Sequence, residues 1–312
     1  MLSVYAFGSP RALLADQNPL HFPTAKTLEL LLLMVANANS TLSRTQAATL
    51  LRADQGEARA KRALSTDLWR LKRVLSDASL PFEELVWVNH GEIGLARSGG
   101  IFADCSELES VFARYGDRSP SELDAAAYRR IRGAVEACSG DFAETFDQEW
   151  CFLYREKLRS KHHALLTLLM QLEVARDNWS MAVEWASRLV ALDPLLEHAH
   201  RCLMQSHFLM GNRALAIRQY GVCRDLLEKE LGVEPSDETS RMYRGLVAVD
   251  LDSLTPPLGA VRTANSPMAN LPMKVPVADK PLTDQLSKAL GSIDAARSLV
   301  AYVDSALRAS GD

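Results

Sequence analysis

Between Glu57 and Leu75 the chain carries Arg59, Lys61, Arg62, Arg70, Lys72 and Arg73 against only Glu57 and Asp67. This local excess of four positive charges sits in a chain whose formal net charge is −4. Leu64, Leu68, Leu71 and Leu75 are spaced four, three and four apart, one core stripe of a helix. That stripe leaves Lys61, Arg62, Ser65, Thr66, Trp69 and Arg70 largely on other faces. Guanidinium and ammonium groups suit phosphates and the guanine edge, small hydroxyls allow close approach, and an aromatic ring packs on a sugar or a thymine methyl. Together they suit the surface of a helix seated in the major groove of DNA. A solvated helix face is the plainer account of a charge run, so the choice rests on the flanking elements. Asp67 would repel phosphate; it faces the domain, or accepts from a cytosine or a neighbouring side chain.

The flanking elements favour DNA. Residues 3–8 and 12–15 read as short strands separated by Gly8-Ser9-Pro10. A helix is expected over 24–37, with Leu28, Leu31, Leu32 and Val35 on one face. Ser43 is placed to cap a second helix over 44–51. Arg44 at its start suits a phosphate, because helix N-termini and cations both attract anions. After the loop 52–56 and the basic helix over 57–76 come residues 85–88 and 93–96, a hairpin around Asn89-His90-Gly91-Glu92. Strands, three helices and a closing hairpin describe a winged helix-turn-helix over 1–99. His90 at the wing tip offers a minor-groove or phosphate contact, with a plain turn as the alternative, and Lys72 and Arg73 complete the DNA-contact set.

Residues 100–251 are helical in pattern. Asp177 and Gly211, Ala182 and Ala216, and Leu189 and Cys223 match at a spacing of 34, the tetratricopeptide period. Helices over 106–115, 122–137 and 148–160 are expected to stack ahead of these repeats. Residues 252–282 hold Pro256, Pro257, Pro267, Pro272, Pro276 and Pro281 and read as a linker. A last amphipathic helix is expected over 283–309, its narrow seam calling for a partner. The fold class is therefore mainly α with a small β component.

Enzymatic readings find no support. The chain lacks Gly-x-x-x-x-Gly-Lys and Gly-x-Gly-x-x-Gly. The cluster Asp141, Glu144, Asp147 and Glu149 reads as a solvated helix start. His198 and Cys202 lie a helical turn apart, without the spacing of a zinc motif. No cofactor or metal is expected. Five scattered cysteines, none in a Cys-x-x-Cys pair, read as reduced thiols of a cytoplasmic protein. No apolar run approaches the roughly 18 residues of a membrane span.

Several short motifs point to one family. They are Leu71-Lys72-Arg73-Val74-Leu75, Asp104 with Leu108-Glu109, Gly140-Asp141-Phe142 and Glu149-Trp150. Further on stand Asp193-Pro194-x-x-Glu197-x-Ala199-His200-Arg201, the run Gly211, Ala216 and Tyr220, and Leu231-Gly232-Val233-Glu234-Pro235-Ser236. Over roughly 1–250 the chain resembles the Streptomyces antibiotic regulatory protein type of transcription regulator, with an OmpR-type winged helix and a bacterial transcriptional activator domain. The resemblance implies a DNA-binding activator that recruits RNA polymerase, often as a homodimer on direct repeats. It also implies that the loop bearing Arg52, Asp54, Gln55 and Glu57 contacts sigma or another polymerase surface. Ser65 stands where many members carry Arg, and Asp67 is unusual, so the family's target sequences are not carried over. No ATPase, forkhead-associated or receiver module is expected after residue 250. Two rival readings stand beside this one. The first is an interaction scaffold whose winged helix binds protein. The second is a sensor whose repeat groove, lined by Trp179, Trp185 and Tyr220, takes an effector.

Overall fold

The computed structural model describes residues 1–38, 42–89, 91–96 and 100–248. His90, the segment 252–282 and the helix expected over 283–309 lie outside the described residues. The protein is mainly helical with a small β component and divides into two compact units, Met1–Ala175 and a second beginning at Arg176.

The first unit opens with β1 (Leu2–Tyr5) antiparallel to β2 (Arg11–Leu14). A winged helix follows: α1 (Ala25–Ala36), β3 (Leu42–Ser43), α2 (Arg44–Leu51), α3 (Glu57–Asp77), α4 (Phe82–Leu85), β4 (Val86–Asn89) and β5 (Glu92–Leu95). Thr24 caps α1 through its hydroxyl, which accepts from the Thr27 amide. Every residue from Glu29 to Val35 is buried, so α1 is enclosed on all sides where the sequence indicated one apolar face. Ser43 caps α2 in a reciprocal box: its hydroxyl accepts from the Gln46 amide and Gln46 Oε1 accepts from the Ser43 amide, each at 3.1 Å. The wing sheet runs β3-β5-β4.

A further strand, β6 (Ile101–Ala103), pairs parallel with β1 and completes a sheet of order β2-β1-β6. It was not apparent from sequence, because three residues are too few to show a period. Asp104 fixes the pairing. Its buried carboxylate accepts from the Ala6 amide at 2.8 Å, from the Phe7 amide at 3.3 Å and from the Cys105 amide at 2.7 Å. Burial pushes this carboxyl up, against the lowering effect of those amides.

Helices α5 (Asp104–Tyr115), α6 (Ala125–Glu136) and α7 (Glu149–Ala175) belong to this same unit. The reasons are specific contacts with the N-terminal elements. Phe7 forms an antiparallel bridge with Phe142, and Gly8 donates its amide to the Asp141 carbonyl at 2.7 Å. Trp150 donates its indole N–H to Glu29 on α1 at 3.2 Å. Arg155, itself buried, donates to the carbonyls of Phe142, Ala143 and Phe146, each at 2.5 Å, and locks the turn before α7. Helix α7 is continuous for 27 residues, well past the end expected near 160; no helix breaker stands between there and Asp177.

The second unit holds α8 (Trp179–Leu192), α9 (Glu197–Leu209), α10 (Arg213–Leu231) and α11 (Asp237–Ala248). The residues matched at a spacing of 34 occupy equivalent places. Asp177 and Gly211 both adopt positive φ, +55° and +84°. Ala182 and Ala216 are fully buried, as is Leu189, and Cys223 nearly so. Gly232 ends α10 in the left-handed conformation, and its amide bonds back to Leu227 and Glu228.

Candidate nucleic-acid interface

Helix α3 buries Ala60, Leu64, Asp67, Leu68, Leu71 and Leu75. At 100° per residue the opposite crest carries Arg62, Thr66, Trp69 and Arg73, with Ser65, Lys61 and Lys72 on one flank and Arg59 and Arg70 on the other. All of these are exposed except Arg70, which is half-buried. Trp69 is 59% exposed, unusual for so large a ring, and the Arg73 guanidinium lies over it at 5.8 Å from the centroid. Arg59 enters the set from the structure; in the sequence it showed only as one more positive charge.

The cations differ in what holds them. Lys61 pairs with Glu57 at 2.5 Å, Lys72 with Glu83 at 2.5 Å and Arg73 with Asp77 at 3.7 Å. Their ammonium partners hold the Glu57 and Glu83 carboxyls below the usual range, chiefly by direct hydrogen bonds. Among the described residues Arg59 and Arg62 make no ion pair, and Arg62 stands on the crest. Arg44, at the first turn of α2, reaches across to donate to the Ser65 hydroxyl at 2.9 Å, which joins the start of α2 to α3.

Asp67 resolves into two of its open alternatives together: it faces the domain and accepts from neighbouring side chains. Its side chain is fully buried and accepts from Arg52 at 2.6 Å and from Arg70 at 3.4 Å. Arg52 therefore turns inward from the loop after α2, 13% exposed. In the same loop Asp54 is exposed and Gln55 half-buried, while Glu57 is exposed at the start of α3.

The wing is tied to the helix-turn-helix. Gly91, with φ +87°, presents its carbonyl to the Arg44 amide at 2.7 Å. Trp87 donates its indole N–H to the Leu95 carbonyl at 3.1 Å and its ring lies against Gly94, where a Cβ would come within 2.7 Å of it. Glycine is required there by the close approach. Val88 and Asn89 are exposed on the outer wing strand, beside His90, which lies outside the described residues.

In the second unit the motif residues of α9 stitch helices together. Glu197 accepts from the Ser236 amide and hydroxyl and from the Thr239 hydroxyl at the start of α11. Burial opposes its ionisation, but those hydrogen bonds and Arg201 outweigh it and hold the carboxyl low. His200 is buried between the Pro194 carbonyl at 2.9 Å and the Gln219 side-chain amide at 2.7 Å. A carbonyl only accepts, so Nε2 carries the proton and Nδ1 accepts from Gln219. Trp185 is fully buried and Tyr220 stacks on Tyr243 at 4.0 Å, both in packing roles. Among the described residues no group of His, Cys, Asp or Glu side chains is arranged to hold a metal ion. The cysteines are unpaired, and burial raises every thiol, Cys138 and Cys151 to about 12 and Cys202 and Cys223 to about 11. None has the depressed pKa of a reactive thiol. No helix among the described residues is long and apolar enough to cross a membrane.

Residues 103–247 match the family described as bacterial transcriptional activator domain. The chain is 22% identical over 209 residues to transcriptional regulatory protein MoaR1 of Mycobacterium bovis and of Mycobacterium tuberculosis, covering 61% of each chain. It is 26% identical over 215 residues to regulatory protein AfsR of Streptomyces coelicolor, covering 68% of this chain and 21% of that protein. The match thus spans about 61% of the length of the first of these relatives. The fold is similar to that of Mycobacterium tuberculosis EmbR, solved in complex with a low-affinity phosphopeptide, with a TM-score of 0.66 at 16% identity over 79% of this chain and 65% of that one. Residues 103–247 are accordingly similar to a bacterial transcriptional activator domain, the element that the resemblance to the Streptomyces antibiotic regulatory protein type implied.

Proposed function

We propose that the protein is a cytoplasmic transcription regulator that binds duplex DNA through α3 and the wing and activates genes by recruiting RNA polymerase. The observation that carries this reading is the α3 crest: Arg62, Thr66, Trp69 and Arg73 exposed opposite a buried apolar stripe, with a wing hydrogen-bonded to the adjoining α2. In this reading the crest meets base edges in the major groove. Arg44, Lys61, Ser65, Arg70 and Lys72 take phosphates or base edges along its flanks, and His90 contacts DNA from the wing. Phosphate contacts supply most of the affinity, so binding falls steeply with salt. Exposed Asp54 and Glu57, with Gln55, form the polymerase-facing loop, while Arg52 supports it from within. Dimerisation on direct repeats follows from the resemblance. The rival reading of a protein-binding module draws on the acidic overall charge and on Asp67; Asp67 is buried and places no negative charge on the crest.

The test is sequenced genome-wide immunoprecipitation of the tagged protein beside the Arg62→Ala/Arg70→Ala double variant. Sharp peaks upstream of genes that vanish in the variant support DNA reading. An absence of peaks, with protein partners retained, favours the scaffold.

A further inference from the structure

One carboxylate in the body of α3 holds both the residue that closes α2 and a cation on the flank of α3. Asp67 Oδ2 accepts from Arg52 Nη2 at 2.6 Å, and Oδ1 faces Arg70 Nη1 at 3.4 Å. Arg52 is the residue that closes α2, its amide bonding back to Ala48 and Thr49. Arg70 lies on the flank of α3 with its side chain 37% exposed. The charge of Asp67 is thus spent between a residue that sets the α2–α3 turn and a residue on the outer surface of α3.

We propose that Asp67 is a positioning residue for DNA recognition. It fixes the angle of α3 through Arg52, and it tethers one edge of the Arg70 guanidinium so that the remaining N–H groups face outward as a fixed fork. A guanidinium held in one plane matches a pair of acceptors on DNA, either the O6 and N7 of a guanine or two phosphate oxygens. An unheld one spreads over many orientations. The proposal rests on the DNA-binding reading above and adds to it a residue that touches no DNA.

Electrostatics alone gives the opposite expectation, which makes the idea testable. Removing a negative charge near a polyanion should tighten binding to any duplex; loss of positioning should weaken binding to the preferred site only. The experiment is selection by the full chain from a random duplex library. Fluorescence-anisotropy titrations on the selected site and on a scrambled duplex then follow for wild type, Asp67→Asn and Arg70→Lys. Asp67→Asn is expected to lose about tenfold on the selected site with scrambled-duplex affinity unchanged or raised. A purely structural role would reduce the folded fraction and lower both affinities together. Arg70→Lys keeps the charge but not the fork, and serves if Asp67→Asn does not fold; it is expected to lose a similar factor. A specific-to-scrambled ratio that equals wild type in Arg70→Lys, or in a folded Asp67→Asn, overturns the proposal. A change of base preference in the two variants assigns the fork to a guanine; a common loss across all selected sequences assigns it to phosphate. If the wild type selects no sequence and binds no duplex, the DNA-binding reading itself fails, a result distinct from wild-type selection with indifferent variants.

Discussion

Glu197 caps a helix 39 positions downstream: Ser236 donates to its carboxylate from the hydroxyl at 2.7 Å and from the amide at 2.9 Å. Two motifs that look unrelated in the sequence are therefore the two sides of one contact between α9 and the start of α11. Glu197→Ala removes the acceptor for Ser236 and Thr239 and is expected to cost about 1–3 kcal/mol. Chemical denaturation followed by circular dichroism measures it; an unchanged midpoint would mean that water replaces the cap at no cost.

Asp104→Ala should be more severe. The change leaves the buried amides of Ala6, Phe7 and Cys105 without their acceptor, and each unsatisfied group costs about 1–3 kcal/mol. The expected result is a lower melting temperature, with loss of hydrogen-exchange protection at Ala6 and Phe7. Retained protection at those amides would contradict the role given to the carboxylate.

On the α3 crest, exposure and pairing rank the cations. Arg62 makes no ion pair among the described residues, whereas Lys72 is held by Glu83. Arg62→Ala is expected to weaken DNA binding by about 1–3 kcal/mol if the guanidinium reads a base, and to reduce the salt slope by about one if it meets a phosphate. Lys72→Ala should do less than Arg62→Ala. Equal effects measured by anisotropy at several salt concentrations would remove this ranking.

Trp69 offers an optical check. Its ring is 59% exposed, so Trp69→Phe should leave the unfolding free energy within about 0.5 kcal/mol of wild type. The same variant should abolish most of the tryptophan fluorescence change on adding DNA. If the quench persists in the variant, another tryptophan or a conformational change is responsible.

Acid should loosen the second unit through His200. Burial lowers its pKa, opposed by the Pro194 carbonyl and Glu197, and His207 is lowered by burial as well. Unfolded histidine takes a proton below about pH 6.5 while the folded imidazole does not. The stabilisation is therefore complete above that pH and is lost as pH falls through the lower folded value. Thermal unfolding at stepped pH values should show this decline, made shallower but not abolished in His200→Gln. An identical slope in the variant would assign the decline to other groups.

The sequence by itself determined the pieces whose physics is local. The 4-3-4 leucine spacing of α3 placed its core stripe and its crest, because a helix repeats every 3.6 residues whatever surrounds it. The 34-residue spacing paired Ala182 with Ala216, since each repeat buries its small residue in the same way. Ser43 signalled the start of α2 through capping chemistry confined to four residues. Tertiary structure alone decided what depends on distant partners. Strand β6 is too short to announce itself and exists because β1 and Asp104 hold it. Helices α5 to α7 join the N-terminal elements through Asp104, Phe142 and Trp150, whose partners at Ala6, Phe7 and Glu29 no periodicity connects. In the sequence Asp67 stood open between the domain, a cytosine and a neighbouring side chain, and Arg52 was one more residue of the loop after α2. Only the packing of α2 on α3 turned both inward, where burial makes each require the other.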